Sequence, residues 1–142
     1  MKVLFLILHI GLAAAWFGHK LLIPSDLRRS LVDLDGARRL IPRIDRAERL
    51  GQTTGVGTLL TGLVLLFLVG VGTVSIAIYF GLAFVLGAIV IGAMVARPAS
   101  QLLKASVAAG DLDRARDAAR SISGVLAIES LLWTAALVAM LV

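Results

Sequence analysis

Residues 51–96 read GQTTGVGTLLTGLVLLFLVGVGTVSIAIYFGLAFVLGAIVIGAMVA, without one Asp, Glu, Lys or Arg. A hydrophobic stretch of roughly 20 residues crosses the hydrocarbon of a bilayer as a helix. This run is long enough for two such helices, joined at the short uncharged turn Val71-Gly72-Thr73. Outward from it, Val3–Ile23 holds one charged residue, Lys20, and Ile122–Val142 holds one, Glu129. The expected fold is an all-α integral membrane protein, a four-transmembrane-helix bundle. Its spans fall near 3–23, 51–70, 74–96 and 121–142, in a single membrane domain over 1–142.

Composition agrees. Of 142 residues, 59% are hydrophobic, which leaves too little polar sequence to cover a soluble domain. The absence of cysteine excludes disulfides, thiolate metal sites and cysteine nucleophiles. Met1–Ala15 has the outline of a signal peptide, with Lys2, an apolar run and Ala13-Ala14-Ala15. Because the apolar run continues to Ile23, it is read as the first span.

The formal charge of +5 is concentrated outside the spans. One connection carries Arg28, Arg29, Arg38, Arg39, Arg43, Arg46 and Arg49; the other carries Lys104, Arg114, Arg116 and Arg120, with Arg97 at its edge. Such residues point to anionic headgroups of the lipid bilayer, not to nucleic acid. Two spans separate these connections, so both lie on one side, and Lys/Arg excess marks the cytoplasmic side. The expected location is a bacterial inner membrane, with both termini and the 71–73 turn outside.

The basic connections have helical periodicity. Leu27, Leu31 and Leu34 recur at helical spacing, as do Leu40, Ile44 and Ala47. These predict interfacial amphipathic helical loops. Pro42 suits the first turn of a helix, and a helix over 42–70 would be about 43 Å long. Pro98 is expected to end or kink the third helix. Gly110 suits a helix stop and Asp111 an N-cap. Asp33-Leu34-Asp35-Gly36-Ala37-Arg38 also echoes Asp111-Leu112-Asp113-Arg114-Ala115-Arg116, as two parallel repeats would.

Ionisable groups inside spans are costly and are functional candidates by default. His9, Ala13, Trp16 and Lys20 form one stripe of the first span. A neutral His9 imidazole can ligate haem iron, copper or zinc, or simply hydrogen-bond a neighbouring helix. His19 is turned about 80° from His9, so one ion cannot take both. Lys20 can snorkel to the headgroups. Glu129 lies deeper, with His19, Lys20, Arg97 or the hydroxyls of Thr53, Thr54 and Thr58 as candidate partners. Ridges such as Gly51/Gly55, Thr58/Gly62 and Ala88/Gly92 permit close helix approach.

The first span, His9-x6-Trp16-Phe17-x6-Pro24, resembles the opening of the HemJ-type protoporphyrinogen oxidases. It is also similar to the copper-resistance-D-like small membrane families. HemJ-type proteins carry a basic residue after that proline, where Ser25 stands here. The resemblance covers about the first 24 residues and implies haem or metal ligation by His9. The expected function is binding of haem b, or copper as the alternative, within the bundle. The cofactor-binding set is His9, Trp16, His19, Lys20 and Glu129, with His9 as metal ligand. A haem-linked membrane oxidoreductase would follow. Two other readings stand beside it: a transporter or channel component using Glu129 and His19, and a non-catalytic scaffold that forms a homo-oligomer.

Overall fold

The computed structural model describes the backbone of residues 1–141 and the side chains of residues 1–138. Val142, the last residue of the expected fourth span, lies outside the described residues. Five α-helices follow in order: α1 (Lys2–Ser30), α2 (Leu34–Val69), α3 (Ile76–Ile91), α4 (Arg97–Ala109) and α5 (Leu112–Leu141). A 3-10 turn over Val71–Thr73 joins α2 to α3, and a π-helical segment over Gly92–Ala96 joins α3 to α4. No strand occurs among the described residues. Four helical stretches are long and apolar enough to cross a membrane: Lys2–Ser30, Leu34–Val69, Ile76–Ala109 and Leu112–Val138.

The basic connections are helical almost throughout, as expected. The first is the ends of α1 and α2, closed by a tight turn at 31–33; the second is α4 and the start of α5, joined at 110–111. α1 runs through Pro24 to Ser30. α2 starts at Leu34, not at Pro42, because the Asp33 carboxylate accepts the Gly36 N–H at 2.6 Å and caps it. At 36 residues, α2 is about 54 Å long. Pro42 thus lies about two turns inside the helix. It removes only the bond to the Arg38 carbonyl, and burial of Ala37, Leu40 and Ile44 on either side holds the segment helical.

Pro98 likewise does not end its helix. The π-helical segment before it lets the Arg97 N–H reach back to the Gly92 carbonyl, and Pro98 falls in the first turn of α4. Its missing N–H is accommodated there. Gly110 stops α4 in the left-handed conformation, φ 77°. Asp111 caps α5 by accepting the Arg114 N–H at 2.9 Å, as expected. The echo between 33–38 and 111–116 therefore marks two like caps, each followed by a buried alanine, Ala37 or Ala115.

α1 lies along α2, α3 and α4 lie along α5, and α1 joins the two hairpins through α5. In the charged half α4 also meets α2 and closes the bundle. Leu27, Leu31, Leu40, Leu103, Val107 and Ile122 form a continuous core there. In the apolar half α2 and α3 share no substantial contact, so the helices run as an open arc α2–α1–α5–α3. Most large apolar side chains of that half point outward, including Leu4, Phe67, Phe80 and Leu131.

Candidate functional site

The small residues of α2 are where the large groups of α1 dock. Gly51 lies under His19, Gly55 under the Trp16 indole, Gly57 under Leu12 and Gly62 under His9. A Cβ at Gly62 would sit 2.9 Å from the His9 ring, and one at Gly55 would sit 3.1 Å from the Trp16 indole. The small-residue ridge of α2 is therefore a packing surface, of the kind that lets membrane helices approach closely.

His9 is held by this docking. Its Nδ1 lies 3.0 Å from the Thr58 carbonyl oxygen and 3.1 Å from the Thr61 hydroxyl. A carbonyl only accepts, so Nδ1–H donates, and in the neutral imidazole Nε2 then carries the lone pair. His19 donates Nδ1–H to the Ala15 carbonyl of its own helix, 3.0 Å away. Both histidine rings pack against glycines of α2.

Glu129 belongs to a different cluster, where α1 meets α5. Its carboxylate is 2.5 Å from the Lys20 ammonium and is 3% exposed as a residue. Lys20 does not snorkel: its side chain is 17% exposed, and its Nζ lies 4.7 Å from the centre of the Trp16 ring. The indole face adds a second favourable contact for the cation. Of the other expected partners, Arg97 is exposed and forms no ion pair among the described residues. Thr53, Thr54 and Thr58 bond carbonyls of their own helix.

Three neighbours that were not legible as site residues complete this cluster. Phe17 and Trp133 stack at 4.6 Å between centroids and 19° between planes, covering one side. Gly92 opens the π-helical segment directly against the carboxylate; a Cβ there would lie 2.6 Å from Glu129 Oε1. π-helical turns inside α-helices often accompany functional sites. A cavity of about 10 Å³ remains among Trp16, Lys20, Ala88, Glu129, Ser130 and Trp133, room for one water. Phe17 and Trp133 stand three and four residues from the charged pair on their own helices, so helical spacing around Lys20 and Glu129 was the available signal.

The structure therefore divides the expected cofactor set. Trp16, Lys20 and Glu129 come together, whereas His9 and His19 do not join them. The shared cavity is far too small for haem b, and Lys20 and Glu129 already neutralise one another. No group of three His, Cys, Asp or Glu converges among the described residues, so the donors for a closed copper site are not assembled there. His9 Nε2 and His19 Nε2 each form no hydrogen bond among the described residues.

A second ionic cluster ties α2 to α4 in the charged half. Lys104 lies 2.7 Å from Asp45 and 2.8 Å from Glu48, and the Ser100 hydroxyl donates to Glu48. Burial acts to lower the pKa of Lys104, but hydrogen bonds and attraction to Asp45 and Glu48 outweigh it and hold the ammonium above its ordinary value. Comparison with protein-family models, with curated proteins and with solved structures finds no match to this chain.

Proposed function

We propose that the protein is a four-span integral membrane protein of the transporter or channel-component type, whose working element is the Lys20–Glu129 pair. The observation that carries this reading is a carboxylate 3% exposed and 2.5 Å from an ammonium, between helices otherwise apolar. The outward-facing leucines, valines and phenylalanines suit hydrocarbon, whereas in water so large an apolar surface would drive association. The basic ends of the helices face the cytoplasm by the excess of Lys and Arg.

Inside hydrocarbon the pair is tolerated while it is neutral overall. Both groups are charged, or the proton has moved from Lys20 to Glu129 and both are neutral. A single charge left behind is expensive. A proton arriving at Glu129 frees the Lys20 ammonium, whose long arm reaches the nearby inner boundary. The adjoining cavity has room for the one water that would hand the proton on. Among the described residues, the contact of α1 with α5 is the main join between the two hairpins in the apolar half, so the pair also sits where a change of charge would loosen one hairpin from the other.

In proteoliposomes carrying an imposed pH gradient, the wild type should dissipate it faster than protein-free vesicles do, and Glu129→Gln should remove that difference. A wild-type rate equal to that of empty vesicles would sink the transport reading. For sidedness, cysteines at the exposed positions Val32 and Ala108 should react from the cytoplasmic face and one at Thr73 from the outer face. Labelling of 32 and 108 from opposite faces would refute the four-span topology.

One observation favours a second reading, haem b held through His9 and a redox role. The Nδ1–H bond to the Thr58 carbonyl fixes the tautomer that leaves Nε2 able to ligate, as outer partners of metal-bound histidines do. A Soret band in the purified protein that disappears in His9→Ala would support it, and a protein without absorbance near that band after haem addition would remove it.

A further inference from the structure

We infer that the groove where α1 and α2 leave the apolar half is a binding site for the phosphate headgroup of an anionic phospholipid, with Arg29 as the cation that engages it. The inference rests on the membrane reading above. A cleft of about 350 Å³ opens along one face of α1 from His19 to Arg29, with Ala47 of α2 as its opposite wall. Its chemistry changes along its length. Leu22 and Ile23 line the part beside the uncharged run of α1; Ser25, Asp26 and Arg29 line the part beyond it. An apolar trough that turns polar and basic at residue 24 matches an amphiphile lying parallel to the helix, with its acyl chain along Leu22 and its headgroup at Arg29.

The charges at the polar end are not equivalent. Asp26 is already held by Arg43 at 3.0 Å, and Arg43 also donates to the Ser30 hydroxyl. The only carboxylate in the cleft is thereby neutralised. Arg29 is exposed and forms no ion pair among the described residues. By contrast, Arg116 and Arg120 are each paired with an aspartate three residues earlier. Guanidinium meets phosphate bidentately, and a basic residue near the membrane surface strengthens anionic-lipid binding about fivefold. His19 lies at the apolar end with its Nδ1 committed to the Ala15 carbonyl, and its ring shapes that end of the trough.

The test uses the full chain in detergent, with native mass spectrometry counting retained phosphatidylglycerol or phosphatidylcholine. The wild type should keep phosphatidylglycerol in preference, and Arg29→Ala should weaken that retention about fivefold. Arg120→Ala, on an exposed and already paired arginine, should leave it unchanged. Equal loss in both variants, or equal retention of the two lipids, would overturn the site. Displacement of phosphatidylglycerol by millimolar inorganic phosphate would show that the groove takes a free anion and overturn the lipid assignment. A chain that stays dispersed without detergent would overturn the membrane reading itself, and the site with it.

Discussion

Leu131, in the apolar half, is 71% exposed, whereas Leu103, in the charged half, is fully buried. The same residue type on the same kind of helix faces out in one region and in in the other. In the charged half the helices sort their residues as a soluble bundle does, with leucines and alanines inside and arginines outside. In the apolar half the outer surface is the more hydrophobic one. What little is polar, Lys20 and Glu129 above all, is drawn inward. In a bilayer, burial of apolar surface against water would hold only the charged half together. There the apolar half would depend on close contact over glycines, on ring stacking and on a compensated charge pair. The contrast suggests a division of labour, with one half supplying stability and the other left thinly packed around an ionisable pair.

The largest effect should come from unbalancing that pair. Glu129→Leu strands the Lys20 ammonium and should cost about 3–5 kcal/mol in thermal or denaturant unfolding in detergent. Adding Lys20→Met to it should recover most of the loss. A single variant as stable as wild type would mean that water reaches the site. Next, Leu103→Ala should cost about 2–5 kcal/mol by opening a cavity in the charged-half core. Leu131→Ala, on the outward face, should change stability by no more than about 0.5 kcal/mol. If the two leucine variants behave alike, the contrast between the halves fails.

Gly92→Ala should cost about 1–3 kcal/mol, because the added methyl meets the Glu129 carboxylate. Its effect should vanish in a Lys20→Met/Glu129→Leu background if the collision is with that carboxylate and not with backbone. The smallest effect concerns Lys104. Its raised pKa means that the folded state holds the proton more tightly than the unfolded chain. Its stabilisation should be fully present below the ordinary value of 10.5 and fade as the pH rises through the higher folded value. The stability gap between wild type and Lys104→Met should therefore stay level across neutral pH and narrow only at strongly alkaline pH.

Four apolar helices, the turn at 71–73, the stop at Gly110 and the cap at Asp111 follow from residues close together in the chain, because hydropathy and capping are local properties. The same local rules misplaced the start of α2 at Pro42 and left Pro98 to end or kink its helix, where the structure has a π-helical turn and a helix that continues. Each proline costs one backbone bond, and packing on both sides of Pro42, or a π-helical turn before Pro98, absorbs that cost. Sequence also singled out Lys20 and Glu129 as charges in apolar surroundings, and left Lys20 to reach for headgroups. Which partner Glu129 takes was decided only in three dimensions. The two residues are 109 positions apart, and their meeting depends on how far α1 and α5 are rotated and slid against each other. Side-chain packing at Phe17 and Trp133, and the close approach at Gly92, set that rotation and register, and no periodicity within a single helix encodes them.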